Sequence, residues 1–268
     1  MKFRIILGTA VAGAAMLVAA GGAFAGATET ILGVTFPVGL VAGGNQIDSS
    51  ILSETLVTAV GQHDIGVGIV NAIDNSLVQQ IWGNGQNGVE LAYTFDYIAS
   101  SVTAPTSTVN GSLTFSSGTA TFYVLPANTQ VNGLGSVAQD VAAVQAGTLF
   151  LSTLAPKFDA NGDVLVSTIP ANTSLTAFAG GTGQGDLDVT GGPAGPFFKT
   201  GTFANAFDTT GFSDMSFTSD FSVGSSGDFA LSGSDTVKAN AVPEPLSLGV
   251  LGLGVAALGA IRRRKRTT

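Results

Sequence analysis

The chain has no cysteine, one histidine and one tryptophan, and only 10% of its 268 residues are charged. Without cysteine there are no disulfides, no thiolate metal ligands and no cysteine nucleophiles. With His63 alone, imidazole chemistry has a single address. Bases are also scarce through most of the chain. From Glu29 to Glu244 only Lys157, Lys199 and Lys238 stand against all 18 acidic residues, a net charge of −15. Phosphate backbones are held by clustered Lys and Arg, so this stretch is not a nucleic-acid surface. It suits a solvated exterior, or one that meets cations.

The other seven bases lie at the two ends. Lys2 and Arg4 precede an apolar stretch that begins at Ile5 and closes with Ala23-Phe24-Ala25. A short positive segment, an apolar core and small residues at −3 and −1 are what signal peptidase requires. Residues 1–25 therefore read as a signal peptide, with Ala23 and Ala25 as the cleavage positions. At the other end, residues 242–268 begin with Val242-Pro243-Glu244-Pro245 and continue with uncharged residues 246–261. They finish with Arg262, Arg263, Arg264, Lys265 and Arg266. As a helix the uncharged run would span about 24 Å, somewhat less than the ~30 Å hydrocarbon core. The basic cluster would stay on the cytoplasmic side and act as a stop signal, which places the acidic region outside. Pro243 and Pro245 cannot continue a helix or donate to a strand ladder, so they would keep an extended, protease-accessible segment outside the membrane.

The Pro243-Glu244-Pro245 triplet, the short Gly- and Leu-rich helix and the terminal Arg cluster resemble the PEP-CTERM sorting signal of exported bacterial proteins. This resemblance implies processing by an exosortase near the triplet and an association with exopolysaccharide and biofilm matrix. Within the middle region, four segments resemble the flocculation-associated subset of that family. They are residues 177–188, Gly191-Gly192, Phe197-Phe198-Lys199-Thr200 and the Asp214-Met215-Ser216-Phe217-Thr218-Ser219 run. The subset implies a secreted matrix protein that helps cells aggregate into flocs.

Residues 26–241 read as strands and turns. Met215, Phe217, Ser219, Phe221 and Val223 alternate with polar residues, as do Phe229, Leu231, Gly233, Asp235 and Val237 with the residues between them. Period-two alternation predicts strands with one buried and one wet face. Residues 91–99, with Tyr93, Phe95 and Tyr97 on one face, form another candidate. Residues 112–115 and 119–125 suggest a hairpin turning at Ser116-Ser117-Gly118, and Asn161-Gly162 suggests a second hairpin. Val137, Val141 and Val144, stopped by Gly147, predict one short helix. The Gly-rich stretch 180–196 reads as a long exposed loop. No internal repeat or internal linker stands out. The expected architecture is an all-β domain, an antiparallel β-sandwich or jelly roll, flanked by the two end signals.

Motifs with chemistry are weak. Residues 159–163 (Asp-Ala-Asn-Gly-Asp) only superficially suggest a calcium loop, because Val164 and Pro170 stand at the positions of its Gly and bidentate Glu. Residues 180–186 approach a calcium β-roll repeat in a single copy, with Asp186 one position late. Gly183-Gln184-Gly185 lacks the βαβ setting of a dinucleotide fingerprint. A hydrolase would need His63 as base, yet no Gly-x-Ser-x-Gly elbow is present. It could instead use an acidic pair such as Asp186 and Asp188. Trp82, beside a Gly-Asn loop, is the candidate ligand contact of a carbohydrate-binding reading. The expectation is an exported, non-catalytic matrix or cell-surface protein with no cofactor and no metal. Its expected partners are signal peptidase, exosortase and exopolysaccharide, with the membrane engaged through the tail before processing. A carbohydrate-binding module is the alternative and a secreted hydrolase the third reading.

Overall fold

A computed structural model describes residues 27–157, 162–204 and 211–243. The signal segment with Ala23 and Ala25, Glu244, Pro245, the 246–261 helix and the Arg262–Arg266 cluster lie outside the described residues, as do Asp159 and Asn161. Among the described residues, no helix is long and apolar enough to cross a membrane.

The all-β expectation holds, but the arrangement is a closed barrel instead of a sandwich. The chain opens with a hairpin of β1 (Ala27–Ile31) and β2 (Val34–Val38). Long strands β3 (Asn45–Glu54) and β4 (His63–Asp74) follow, then short β5 (Gln80–Gly83), then β6 (Val89–Thr103) and β7 (Gly111–Pro126). The predicted helix is α1 (Val137–Gln145), and β8 (Thr148–Leu154), β9 (Leu165–Ile169) and β10 (Gly181–Gly191) come after it. A single turn, α2 (Gly195–Phe198), and the two-residue strands β11 (Phe203–Ala204) and β12 (Phe212–Ser213) lead into β13 (Met215–Ser226) and β14 (Phe229–Ala239).

Strand pairing runs β13-β14-β3-β4-β6-β7-β8-β10, and β10 pairs back onto β13. Every pair is antiparallel. The result is an eight-position up-and-down barrel in which neighbours in sequence are neighbours in space. β8 and β9 share one position end to end. β8 pairs with the lower part of β7 through Thr119–Val124 and β9 with the upper part through Gly111–Phe115. Asn161 lies outside the described residues, and the strands on either side of it, β8 and β9, run the same way and do not pair as the arms of a hairpin. Closure leaves no continuous free edge on the wall, which removes a template for strand addition.

Glycines make this closure sterically feasible. On the inner face, Phe95 lies opposite Gly66, Tyr93 opposite Gly68 and Tyr97 opposite Gly118. Phe221 lies opposite Gly181 and Phe217 opposite Gly185. A Cβ on Gly118 would sit 1.9 Å from the Tyr97 ring, and one on Gly66 or Gly68 would sit 2.1 Å from its partner ring. Each ring thus lies over the bare backbone of the neighbouring strand. This corrects two expectations. The Ser116-Ser117-Gly118 step is not a turn but the middle of the continuous sixteen-residue β7, beside a bulge at Ile98 and Ala99. The Gly-rich stretch from residue 180 is not an exposed loop but mostly β10, whose Gly181, Gly183 and Gly185 share the inner face because they are spaced by two.

The barrel has a closed lower end. Phe36 of β2 packs against Phe197 and Phe198 of α2 at 5.5 and 4.8 Å, and against Phe150 of β8 at 6.3 Å between ring centroids. Trp82 of β5, opposite Ile73, is fully buried in the same core. A second, smaller core lies outside the wall, where Val137, Val141 and Val144 of α1 cover Val67, Ala92 and Leu125. Ser136 caps α1, its hydroxyl accepting from Gln139 N at 3.3 Å.

Candidate functional site

The inner faces of the strands were predicted to be apolar, and in the lower half they are. In the upper half three carboxyls interrupt them. Glu54 ends β3, Asp64 is the second residue of β4, and Asp235 sits on β14 at a position the alternation had placed on the apolar face. They line a cavity of about 70 Å³ whose walls are otherwise rings and aliphatic chains, among them Tyr93, Phe95, Tyr97, Phe115, Phe122 and Phe217. This is room for two or three waters or a ligand of few heavy atoms.

Two segments cover the top. The first carries Thr55, Leu56 and Val57 and is held as a tight loop by Gln62, whose side-chain oxygen accepts from Thr58 N at 2.7 Å and Ala59 N at 3.0 Å. Thr55 anchors its base: its hydroxyl donates to the His63 carbonyl and accepts from Ile65 N. The second brings Phe178, which packs edge-on against Phe221 at 5.8 Å.

The acids differ in their partners. The Tyr93 hydroxyl donates to Asp235 Oδ1. Glu54 Oε1 and Asp64 Oδ1 are buried with no hydrogen-bond partner among the described residues. Burial, reinforced by the neighbouring Asp96, pushes the Asp64 carboxyl up to about 8. Burial first, then Asp64 and Asp235, raise Glu54 well above the ordinary carboxylate range. Asp235 rises to about 6, again through burial, with its Tyr93 and Ser49 hydrogen bonds acting in the opposite direction. The Tyr93 and Tyr97 phenols are raised by burial and by nearby carboxyls. No Lys, Arg or His lines the cavity among the described residues.

Other acids are placed very differently. Asp214 accepts from Val189 N at 2.8 Å and Gly201 N at 2.6 Å. Asp140 on α1, fully buried, accepts from Gly133 N at 3.2 Å and Leu134 N at 2.9 Å. These carboxylates bind backbone amides and hold loops in place.

The residues singled out in the sequence do not converge on the cavity. His63 is half-exposed on the outer wall, its Nδ1 2.7 Å from Asp96 Oδ1. Asp186 and Asp188 lie on the face of β10 opposite the cavity, Asp186 fully buried and Asp188 accepting from Asp214 N at 3.3 Å. Trp82 presents no ring face on which a sugar could stack from solvent, because β2 and the lower core cover it. Of the residues expected to form a sorting motif, Val242 and Pro243 are described. Val242 N donates to Phe197 O at 2.9 Å, so the chain stays tied to α2 until immediately before Pro243. Among the described residues no group of three His, Asp or Glu side chains is placed to hold a metal ion. Only the position of Asp235 on an apolar face hinted at the cavity acids. Comparisons with protein families, curated protein sequences and solved structures find no match for this chain.

Proposed function

We propose that the chain is an exported, non-catalytic protein of the cell surface or extracellular matrix, sorted through its C-terminal tail and acting in exopolysaccharide-associated floc or biofilm formation. The observation that carries this reading is the order of parts at the C-terminus: Pro243-Glu244-Pro245, an uncharged run, then five consecutive bases. The barrel supports it in two ways. Ala27 pairs with Val38, and Gly39 N donates to Ala241 O at 2.6 Å, so both ends of the described chain leave from the plugged lower end. A tail held in a membrane would then point the upper end, with its Glu54, Asp64 and Asp235 cavity, outward. The strongly acidic composition and the closed wall suit a soluble existence in a hydrated matrix.

The test is the mass and location of the mature protein in its own host. Loss of residues 1–25 and of the tail beyond the Pro-Glu-Pro region, with recovery in the matrix fraction, is the expected result. Replacing Pro243, Glu244 and Pro245 with alanine is expected to retain the protein in the membrane fraction. Unchanged processing and location would remove the sorting reading, and unchanged flocculation in a deletion strain would remove the matrix role.

A further inference from the structure

We propose that the upper half of the barrel interior is a binding site for a small organic ammonium ion, held between the Glu54 and Asp64 carboxyls and the aromatic wall of Tyr93, Phe95 and Tyr97. The proposal is independent of export, since it rests only on the barrel. Two observations meet in it. There is a cavity of about 70 Å³, and into it face two carboxyls, each more than nine-tenths buried and each with an oxygen lacking a partner among the described residues.

A buried polar oxygen without a partner is destabilising, so a fold does not gain stability by placing two of them side by side. Asp140 and Asp214, by contrast, each collect two backbone amides. The cavity acids lie on strands whose amides are already committed to the barrel ladder, so a donor must come from outside the wall. The surroundings select its type. A hard metal ion needs six or more oxygens at close range, and no three ligands converge here among the described residues. An ammonium or alkylammonium ion needs one or two carboxylates and gains further from ring faces, which attract cations most strongly when water is excluded. The absence of Lys, Arg and His from the described lining leaves the cation's place unfilled by the protein.

The charges that face the site are Glu54 from β3, Asp64 from β4, Tyr93 and Tyr97 from β6, and Asp235 from β14. Asp96 and His63 stand behind Asp64 on the outer wall, and Asp48 stands beside Asp235. With Asp64 holding its proton up to about pH 8, a cation that binds must displace that proton, so its affinity rises with pH through neutrality. A neutral ligand accepting hydrogen bonds from the protonated acids would show the opposite trend.

The experiment is calorimetric titration of the purified full chain with methylammonium, trimethylammonium and tert-butylammonium chlorides, with uncharged tert-butanol as the control of equal shape. At least one ammonium ion is expected to bind, with an affinity that increases about fiftyfold from about pH 6 to about pH 8. tert-Butanol is expected to bind at least about tenfold more weakly at the higher pH. The Glu54→Gln, Asp64→Asn pair is expected to abolish ammonium binding while the protein melts at the same temperature or higher. Should that variant fail to fold, the pH trend in the unaltered chain decides alone. Failure of all three ammonium ions to bind, equal binding of tert-butanol, or tighter binding at the lower pH would each overturn the proposal.

Discussion

The two ends of the barrel use the same strands for opposite purposes. At the lower end Phe36, Phe150, Phe197 and Phe198 interlock, Trp82 is fully buried, and nearby Asp214 bridges the Val189 and Gly201 amides. At the upper end the rings line a cavity, and Glu54 and Asp64 are buried without such support. A buried acid with two amide donors consolidates a fold, whereas one without them is carried at a cost. The difference teaches which end is architecture and which end is available for chemistry.

If that contrast is sound, substitutions at the two ends differ in sign as well as size. The largest loss is expected from Phe36→Ala, which opens a cavity in the plug; about 3–5 kcal/mol should appear in denaturant unfolding. Asp214→Ala leaves two buried amides without an acceptor and should cost about 2–4 kcal/mol by the same measurement. Asp64→Asn is expected to reverse the sign, stabilising the protein at about pH 8.5 by on the order of 1–3 kcal/mol, because it removes a buried group obliged to ionise. Its effect should vanish near pH 4. The reason is that a carboxyl raised from the ordinary range to about 8 contributes stability that is present below its unfolded value and is lost as pH rises through about 8. The unaltered protein should therefore melt at a falling temperature from about pH 5 to pH 8.5, and the variant along a flatter line. His63→Ala, which breaks only the exposed pair with Asp96, should change stability by less than about 0.5 kcal/mol.

The walls of the barrel were more legible in the sequence than its closure or the acids inside it. The strands β13 and β14, the shared face of Tyr93, Phe95 and Tyr97, and helix α1 all follow from periodicity, since burial on one face leaves a period of two or of about 3.6 in any all-β or helical setting. Closure did not follow, and one segment explains why. The strand that completes the ring, β10, carries Gly181, Gly183 and Gly185 on its inner face, and composition marks such a run as a loop. Its glycines are matched to Phe217 and Phe221 one strand away, a complementarity visible only once the register is known. The same blindness applies to the acids. Asp235 stood on an apolar face, an early sign of a polar group inside. Glu54 and Asp64, though, fall at the ends of strands where a charged residue ordinarily meets water. Only the covering loop at Thr55, Leu56 and Val57 turns those two strand ends into an interior.

The claim that the upper acids form a cation site, held uncharged until a cation arrives, is tested most directly by a carbon-13 NMR titration of the Asp64 side-chain carboxyl, with and without a saturating alkylammonium salt. The barrel predicts a midpoint near 8 in the free protein and a clear fall when the cation is present. A midpoint in the ordinary carboxylate range near ~4, unmoved by the salt, would contradict the account.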